Sequence, residues 1–210
     1  MSANTLVRWV FKPAVFCAAL VPFALLLYAA WQNTLGANPL ESVMRGTGDW
    51  TLRFLLLSLA MTPLRRLLGR GWPIRFRRML GLFAFFYACL HFLIWLVLDQ
   101  ELSWTNIFAD IVKRPFVTVG FLAWLMLVPL ALTSTRAAMR RLGRNWSRLH
   151  RLVYVVAVLG VLHFVWLVKA DLLEPLVYAG ILGLLLLLRL PLRPLSGSRN
   201  RTARGSLTEG

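Results

Sequence analysis

Three histidines are the residues of this chain most suited to chemistry: His91, His150 and His163. Each lies within an apolar run or at its end, where an ionisable ring costs free energy unless it has a partner. Two imidazoles that face each other from different helices can bind the iron of a b-type haem from both sides. The competing interpretation is that all three rings only pack between helices. We favour haem ligation by His91 and His163.

A strongly apolar composition indicates that the chain lies in a membrane. Hydrophobic residues make up 59% of its 210 residues and the mean hydropathy is +0.67, above what is usual for a globular protein. The net charge of +16 would suit nucleic-acid binding, but the arginines cluster in short loops between apolar runs. Such clusters orient helices in a bilayer, so we expect lipid, and no nucleic acid, as the partner.

The apolar runs predict six membrane-spanning helices, each of which needs roughly 20 mostly apolar residues. The runs fall at 11–31, 50–64, 79–98, 115–134, 151–169 and 174–190. The second run is short, and we expect its helix to extend into the preceding loop. The predicted fold class is therefore an all-α membrane protein, a bundle of six transmembrane helices.

Charge sets the predicted orientation of this bundle. Basic residues cluster in the loops after the second and fourth runs and in both terminal segments, whereas every acidic residue except Glu209 falls in or beside the opposite loops. Because basic loops stay on the cytoplasmic side, both termini are expected to be cytoplasmic. We divide the chain into an N-terminal segment at 1–10, a transmembrane haem-binding domain at 11–192, and a basic tail at 193–210 that we expect to be disordered.

His91 and His163 are predicted to lie at the same depth in the membrane. His91 stands twelve residues from Met79, where the third span enters from the cytoplasm, and His163 stands twelve residues from Arg151, where the fifth span enters. Twelve residues of helix rise about 18 Å, within a hydrocarbon core about 30 Å thick. Both rings should therefore lie in the outer half, at the matched depth that ligation of one iron from both sides requires.

The neighbours of these two histidines suit a flat aromatic cofactor. Ala88 and Gly160 each stand three residues before a histidine, and such small residues leave room on the same helix face. Small residues also serve ordinary packing between membrane helices. Aromatic surface is expected from nearby side chains: Phe92, Trp95, Phe164 and Trp166.

His150 is expected to play a different part. It precedes His163 by thirteen residues, which places the two rings roughly 140° apart around an ideal helix. The matching depth on the third span holds Arg77 and Arg78, so a second haem would lack an evident partner ligand. We expect His150 to contact a cofactor, a quinone or lipid at the cytoplasmic end of the bundle.

Basic residues at two further places each allow an ordinary and a specific interpretation. Arg53 stands about one turn below the outer surface, and it either extends its side chain to the interface or pairs with a haem propionate. Cations at the cytoplasmic ends of spans three and five either only set the topology or bind a phosphate, such as that of FMN, or mark a quinone entry. The residues of this cytoplasmic cluster are Arg77, Arg78, Arg148, Arg151 and the histidine His150.

Several segments resemble the ferric-reductase-like transmembrane domain superfamily, which includes ferric reductases and NADPH oxidases. Residues 145–154 (NWSRLHRLVY) are similar to the entry of its fifth span. Within the superfamily, the chain is most similar to MsrQ (formerly YedZ), the family of haem-binding membrane subunits of the bacterial periplasmic methionine-sulfoxide reductase system. The resemblance covers roughly residues 8–192, and five segments carry it: 46–50 (GTGDW), 62–65 (TPLR), 77–82 (RRMLGL), 113–116 (KRPF) and 130–134 (LALTS).

The resemblance implies an inner-membrane cytochrome with b-type haem, and FMN is also ascribed to the family. It implies electrons from the quinone pool or a cytosolic flavin reductase, and a periplasmic molybdopterin enzyme, MsrP, that reduces methionine sulfoxide in oxidised proteins. The superfamily often has two histidine pairs, whereas this chain has one pair and His150. The expected role is that of an electron-transfer subunit without its own substrate-reducing site.

Other functions remain open from the residues alone. The chain has no glycine-rich dinucleotide fingerprint after a strand, so electrons would have to come from another protein or a quinone. A transporter or channel would show internal repeats or charges near the midplane, and we find neither. A membrane anchor with a purely structural haem is the third alternative.

Overall fold

The computed structural model describes residues 3–168 and 171–189, and every regular element within these ranges is helical. A π-helical turn, Val7–Phe11, leads into the second helix, and another, Trp95–Asp99, extends the fourth. The predicted tail at 193–210 lies outside the described residues. The helices in chain order are α1 (Ala3–Leu6), α2 (Lys12–Trp31), α3 (Pro39–Leu68), α4 (Ile74–Ile94), α5 (Trp104–Lys113), α6 (Pro115–Leu132), α7 (Arg136–Leu142), α8 (Arg144–Leu149), α9 (Leu152–Leu167) and α10 (Leu173–Leu187).

The all-helical membrane class is confirmed. Four helical segments of the described chain are long and apolar enough to cross a bilayer: Val7–Trp31, Ile74–Asp99, Pro115–Leu132 and Arg144–Leu167. They correspond to the first, third, fourth and fifth predicted spans. The second and sixth predicted spans coincide with α3, which has charged ends, and with α10, which is apolar but has 15 residues. The count of six spans and the cytoplasmic position of the termini stay predictions.

Helix α3 is twice as long as its predicted apolar run because its ends are capped well outside that run. At its start, Asn38 accepts a hydrogen bond from the backbone N–H of Glu41, and Pro39 occupies the first turn, where its missing N–H costs nothing. At its end, Gly69 adopts a left-handed conformation (φ 61°) that closes the helix. The expected extension into the preceding loop is therefore confirmed.

A tyrosine hydroxyl from another helix interrupts the backbone hydrogen bonds of helix α2. Tyr87 of α4, which is fully buried, donates its hydroxyl proton to the carbonyl of Ala19 (2.8 Å) and accepts from the N–H of Phe23 (3.0 Å). These two backbone groups would otherwise bond to each other across one turn. Pro22 lies between them. The insertion joins α4 to α2 beside this proline.

The packing of the helices leaves two faces opposed across the interior. Helix α4 packs along α3, and α9 packs along α6, while α10 closes against α9 and α3. Tyr87, Ala84, Ala157, Leu59 and Val156 form the most buried part of the core. The histidine-bearing helices α4 and α9 therefore face each other between α3 and α6.

Helix α5 was not predicted from the apolar runs. It is a strongly amphipathic segment between the third and fourth spans, with Trp104, Phe108 and Val112 exposed along one face. Its buried Asp110 accepts a hydrogen bond from the indole of Trp95 (3.1 Å) and pairs with Arg114 (2.9 Å). Ten residues are too few to cross a bilayer, so apolar-run analysis misses such a helix.

A candidate bis-histidine haem site

His91 on α4 and His163 on α9 meet in the interior of the bundle. Their ring centres stand 6.2 Å apart and the ring planes cross at 81°. The structure thus brings together the two rings that the sequence places at matched depth. Their role as ligands remains a proposal.

Both rings are held by the same type of contact. The Nδ1 atom of His91 lies 2.9 Å from the carbonyl oxygen of Met44, and that of His163 lies 2.7 Å from the carbonyl oxygen of Phe116. Because a carbonyl only accepts hydrogen bonds, each Nδ1 must carry the proton. A neutral imidazole then keeps a lone pair on Nε2, which is the arrangement usual for metal-binding histidines.

Two glycines make room for these rings. A Cβ atom added at Gly120 of α6 would lie 2.7 Å from Nδ1 of His163, and one added at Gly48 of α3 would lie 3.2 Å from Cε1 of His91. Each histidine therefore occupies space that any larger residue would take. Sequence reasoning did not assign either glycine to the site, although an isolated glycine in an apolar helix costs about 1 kcal/mol relative to alanine and so signals a packing requirement.

The histidines border a largely apolar cavity of about 250 Å³ enclosed by α3, α4, α6 and α9. Of the predicted neighbours, Ala88, Gly160, Phe92, Trp95 and Phe164 line it. Trp166 does not, since its side chain is 48% exposed on the outside of the bundle.

An aromatic wall closes one side of the cavity, and it combines the predicted Phe92 and Trp95 with Trp124 and Phe121, which sequence reasoning missed. Trp124 of α6 stacks on Phe92 with ring centres 4.1 Å apart, and Phe121 and Trp95 extend the wall. The indole N–H of Trp124 is buried and has no hydrogen-bond acceptor among the residues that the structure describes. A buried donor without a partner is uncommon in a completed structure, so this wall suits a bound group with an acceptor.

These observations fit a haem. With metal–nitrogen bonds of about 2.0 Å and each ring centre about 1 Å behind its nitrogen, the ring centres of a bis-imidazole site stand about 6 Å apart. Rotation about the iron–nitrogen axis leaves the two ring planes free to cross. Within residues 3–168 and 171–189, no group of three or more His, Cys, Asp or Glu side chains could hold a metal ion. A pair of histidines suffices when a porphyrin supplies the four equatorial nitrogens.

Arg53 is directed toward α10. Its Nε donates to the hydroxyl of Tyr178 (2.8 Å), and its guanidinium lies 3.9 Å from Asp49 and 4.0 Å from Glu174, above the ring of Trp50. The side chain is 40% exposed, and its extension to the interface stays a prediction. Arg53 does not line the cavity, so its pairing with a propionate stays a prediction.

The arginine at the cavity mouth is Arg45, which the sequence analysis did not single out. Its guanidinium pairs with Glu41 at 2.9 Å, and both residues line the cavity together with Asp49. Glu41, Arg45 and Asp49 follow one another at intervals of four residues along α3 and so share one helix face. Arg45 is therefore better placed than Arg53 to meet a negatively charged group at the opening.

His150 lies at the other end of the bundle. Its ring stacks on Trp146 at 4.0 Å, its Nδ1 lies 3.2 Å from the carbonyl oxygen of Trp146, and its Nε2 is buried without a hydrogen-bond partner in the described chain. His150 does not line the histidine cavity. Arg77 lies within electrostatic range of both His150 and Arg189.

The predicted cytoplasmic cluster is thus only partly assembled. Arg77 is half-buried and lies within electrostatic range of His150, whereas Arg78, Arg148 and Arg151 are exposed. Arg189, which sequence reasoning did not include, completes the buried part: it donates to the hydroxyl of Tyr154 and to the carbonyl of Leu59. The role of this cluster in binding stays a prediction.

The fold and site define a ferric-reductase-like membrane protein. Residues 47–161 match the family described as ferric reductase like transmembrane component, a segment that includes His91 and His150 and ends two residues before His163. The match covers more than half of the chain, so the chain belongs to this family.

Within this class the chain belongs to the MsrQ family. It is 56% identical over 181 residues to the protein-methionine-sulfoxide reductase heme-binding subunit MsrQ of Xanthomonas euvesicatoria pv. vesicatoria, covering 83% of each chain. It is 59% identical over 180 residues to the MsrQ of Rhodospirillum rubrum, covering 84% of this chain and 86% of the relative. No solved structure matches the chain. The family predicted from the sequence motifs is confirmed.

Proposed function

We propose that this protein is a b-type cytochrome subunit that transfers electrons across the bacterial inner membrane to a periplasmic methionine-sulfoxide reductase, MsrP. The name of its relatives, heme-binding subunit of a protein-methionine-sulfoxide reductase, supports the cofactor and the partner. The observation that carries the proposal is the facing pair His91 and His163, with ring centres 6.2 Å apart.

Each residue of the site has a physical task in this proposal. The Nε2 atoms of His91 and His163 bind the iron, and the Nδ1 hydrogen bonds to Met44 and Phe116 fix the ring orientations. The apolar walls exclude water, which keeps the surroundings rigid and reduces the reorganisation that accompanies a change of charge. The bound haem supplies a one-electron couple whose potential depends on these ligands and on burial.

The direction of transfer follows from the predicted topology. With the arginine-rich ends of the helices in the cytoplasm, the cavity mouth at Glu41, Arg45 and Asp49 faces the periplasm. A soluble acceptor can approach the haem edge there.

The donor site is proposed for the cytoplasmic end, at Arg77, His150 and Arg189. Two nitrogens in this cluster, Nε2 of His150 and Nε of Arg189, are buried without hydrogen-bond partners among the described residues. Nε of Arg189 is a donor that suits a quinone carbonyl or the phosphate of FMN. Nε2 of His150, whose Nδ1 donates to the carbonyl of Trp146, is an acceptor that suits a quinol hydroxyl. Electrons would enter here from the quinone pool or from a cytosolic flavin reductase.

The experiment is a comparison of haem content and haem reduction in the purified protein. The wild type should contain low-spin haem that a quinol or a reduced flavin reductase reduces and that oxidised MsrP, supplied with methionine sulfoxide, reoxidises. His91→Ala and His163→Ala should each abolish the low-spin spectrum, whereas His150→Ala should keep it. Unchanged haem in His163→Ala would contradict the ligand assignment. Haem that no donor reduces, or that MsrP does not reoxidise, would indicate a purely structural cofactor.

A further inference from the structure

A second pocket lies at the arginine-rich end of the bundle. The described residues that line it are Val7 and four basic residues: Arg8, Lys12, Arg75 and Arg136. They come from the start of the first apolar helix, the start of α4 and the start of α7. The pocket shares no residue with the histidine cavity or with the cluster around His150.

The charges of this pocket call for an anion. Among the residues that the structure describes, no carboxylate lines it, and the acidic residues lie at 41, 49, 99, 101, 110, 171 and 174, in or beside the opposite loops. Like charges about 4 Å apart repel by about 1 kcal/mol even in water, and by more beside an apolar wall. Arg8 and Lys12 of the first helix and Arg136 of α7 converge on one opening with Arg75, so a shared negative ligand would reduce their mutual repulsion.

The depth of the pocket indicates where that ligand comes from. Arg8 and Lys12 stand at the beginning of the membrane-spanning segment Val7–Trp31, and Arg75 is the second residue of the segment Ile74–Asp99. Arg136 follows the end of the segment Pro115–Leu132 by four residues. Three helix ends at one side of the bundle thus place all four cations at the level of the lipid headgroups.

Apolar surface beside the pocket suits acyl chains. Trp9 and Phe11 are adjacent in sequence to Arg8 and Lys12 and are 67% and 47% exposed, and aromatic residues are typical of the boundary between headgroups and chains. The segment Val7–Trp31 buries only 11% of its apolar window inside the protein, so most of its surface is available to lipid. Basic pockets between transmembrane helices are known sites for anionic headgroups.

We propose that this pocket binds the phosphate headgroup of an anionic phospholipid. The lipid belongs to the membrane leaflet at the arginine-rich end of the bundle. The phosphate bridges Arg8 and Lys12 to Arg75 and Arg136, while the acyl chains lie along the exposed face of the first helix. The bound lipid thereby ties the loosely packed first helix to α4 and α7. This inference depends on the membrane-spanning helices and not on the haem.

The test is a titration of the full-length protein with phosphatidylglycerol, with bound lipid counted by native mass spectrometry. The variant Arg8→Gln/Lys12→Gln/Arg136→Gln removes three pocket charges. Its matched control, Arg65→Gln/Arg70→Gln/Arg144→Gln, removes three exposed charges from the same end of the bundle outside the pocket. Each basic residue near an anionic lipid surface contributes roughly fivefold in affinity. We expect at least about tenfold weaker phosphatidylglycerol binding in the pocket variant and less than about twofold in the control.

Other outcomes would overturn the proposal. Equal losses in both variants would mean that diffuse charge, and not the pocket, attracts the lipid. Displacement of phosphatidylglycerol by inorganic phosphate or FMN at equal concentration would assign the pocket to a soluble phosphate ligand. Equal binding of phosphatidylcholine would exclude recognition of the anion. If the triple variant fails to insert, Arg136→Gln alone decides by the same titration, since Arg136 lies outside the spanning helices.

Discussion

Gly120 and His163 lie so close that the glycine cannot carry a side chain without displacing the histidine. A Cβ atom at position 120 would stand 2.7 Å from Nδ1 of His163, the atom that donates to the carbonyl of Phe116. One ring of the candidate pair is therefore positioned by a backbone surface on the neighbouring helix.

Gly120→Ala should remove most of the haem from the purified protein. The added methyl group must push the His163 ring away from its position opposite His91, and positioning errors of this kind weaken metal sites about 10–100-fold. Gly48→Ala, with a contact of 3.2 Å to His91, should cause a smaller loss. Gly180→Ala is the control, because nothing lies within 4 Å of its added Cβ. The haem-to-protein ratio measures each effect, and wild-type haem in Gly120→Ala would refute the positioning role.

Arg45→Gln should make the haem midpoint potential more negative. Loss of a cation at the cavity mouth removes stabilisation of the electron-rich reduced state, by roughly 1 kcal/mol or less for a partly exposed charge. Arg53→Gln should leave the potential nearly unchanged and lower thermal stability, as Tyr178→Phe should, because these two residues bond to each other at 2.8 Å. Redox titration separates the cases. A large shift in Arg53→Gln without one in Tyr178→Phe would instead support pairing of Arg53 with a propionate.

Tyr87→Phe should destabilise the bundle by about 1–3 kcal/mol. The change removes the hydroxyl that connects the Phe23 N–H to the Ala19 carbonyl. The two backbone groups regain a partner only if α2 rearranges so that they bond to each other. Thermal unfolding in detergent, followed by circular dichroism, measures the effect. Tyr28→Phe makes the same chemical change at an exposed tyrosine and should shift the midpoint little. Equal midpoints in the two variants would show that the hydroxyl contributes no net stability.

Arg77→Gln should slow haem reduction by the donor several-fold while the haem content stays constant. Arg77 is the half-buried member of the cytoplasmic cluster, and its charge acts on His150 and Arg189. The double variant Arg78→Gln/Arg151→Gln changes exposed cations of the same region and should reduce at nearly the wild-type rate. Stopped-flow spectroscopy at the haem absorption band measures both rates, with flavin content determined in parallel. Unchanged rates and flavin content in all variants, including Arg77→Gln, would indicate that these arginines only orient the helices in the membrane.

Much of this protein is determined by its sequence alone. Apolar runs about 20 residues long can be buried only as helices in a bilayer, so the membrane class and the places of the spanning helices follow from composition and order. The matched depth of His91 and His163 follows too, because helical rise converts equal residue counts into equal depth. The family motifs are short contiguous segments and can be recognised without a structure.

The tertiary structure decided which helix faces meet, and with them the details of the site. Gly48 and Gly120 are ordinary glycines in the sequence, and only the approach of α3 and α6 to the histidines shows what their missing side chains accommodate. The sequence placed Arg53 near the cofactor by depth, but rotation about α3 directs it to Tyr178 and leaves Arg45 at the cavity. Depth depends on position along one helix, whereas the direction of a side chain relative to a cavity depends on the rotation and packing of several helices at once.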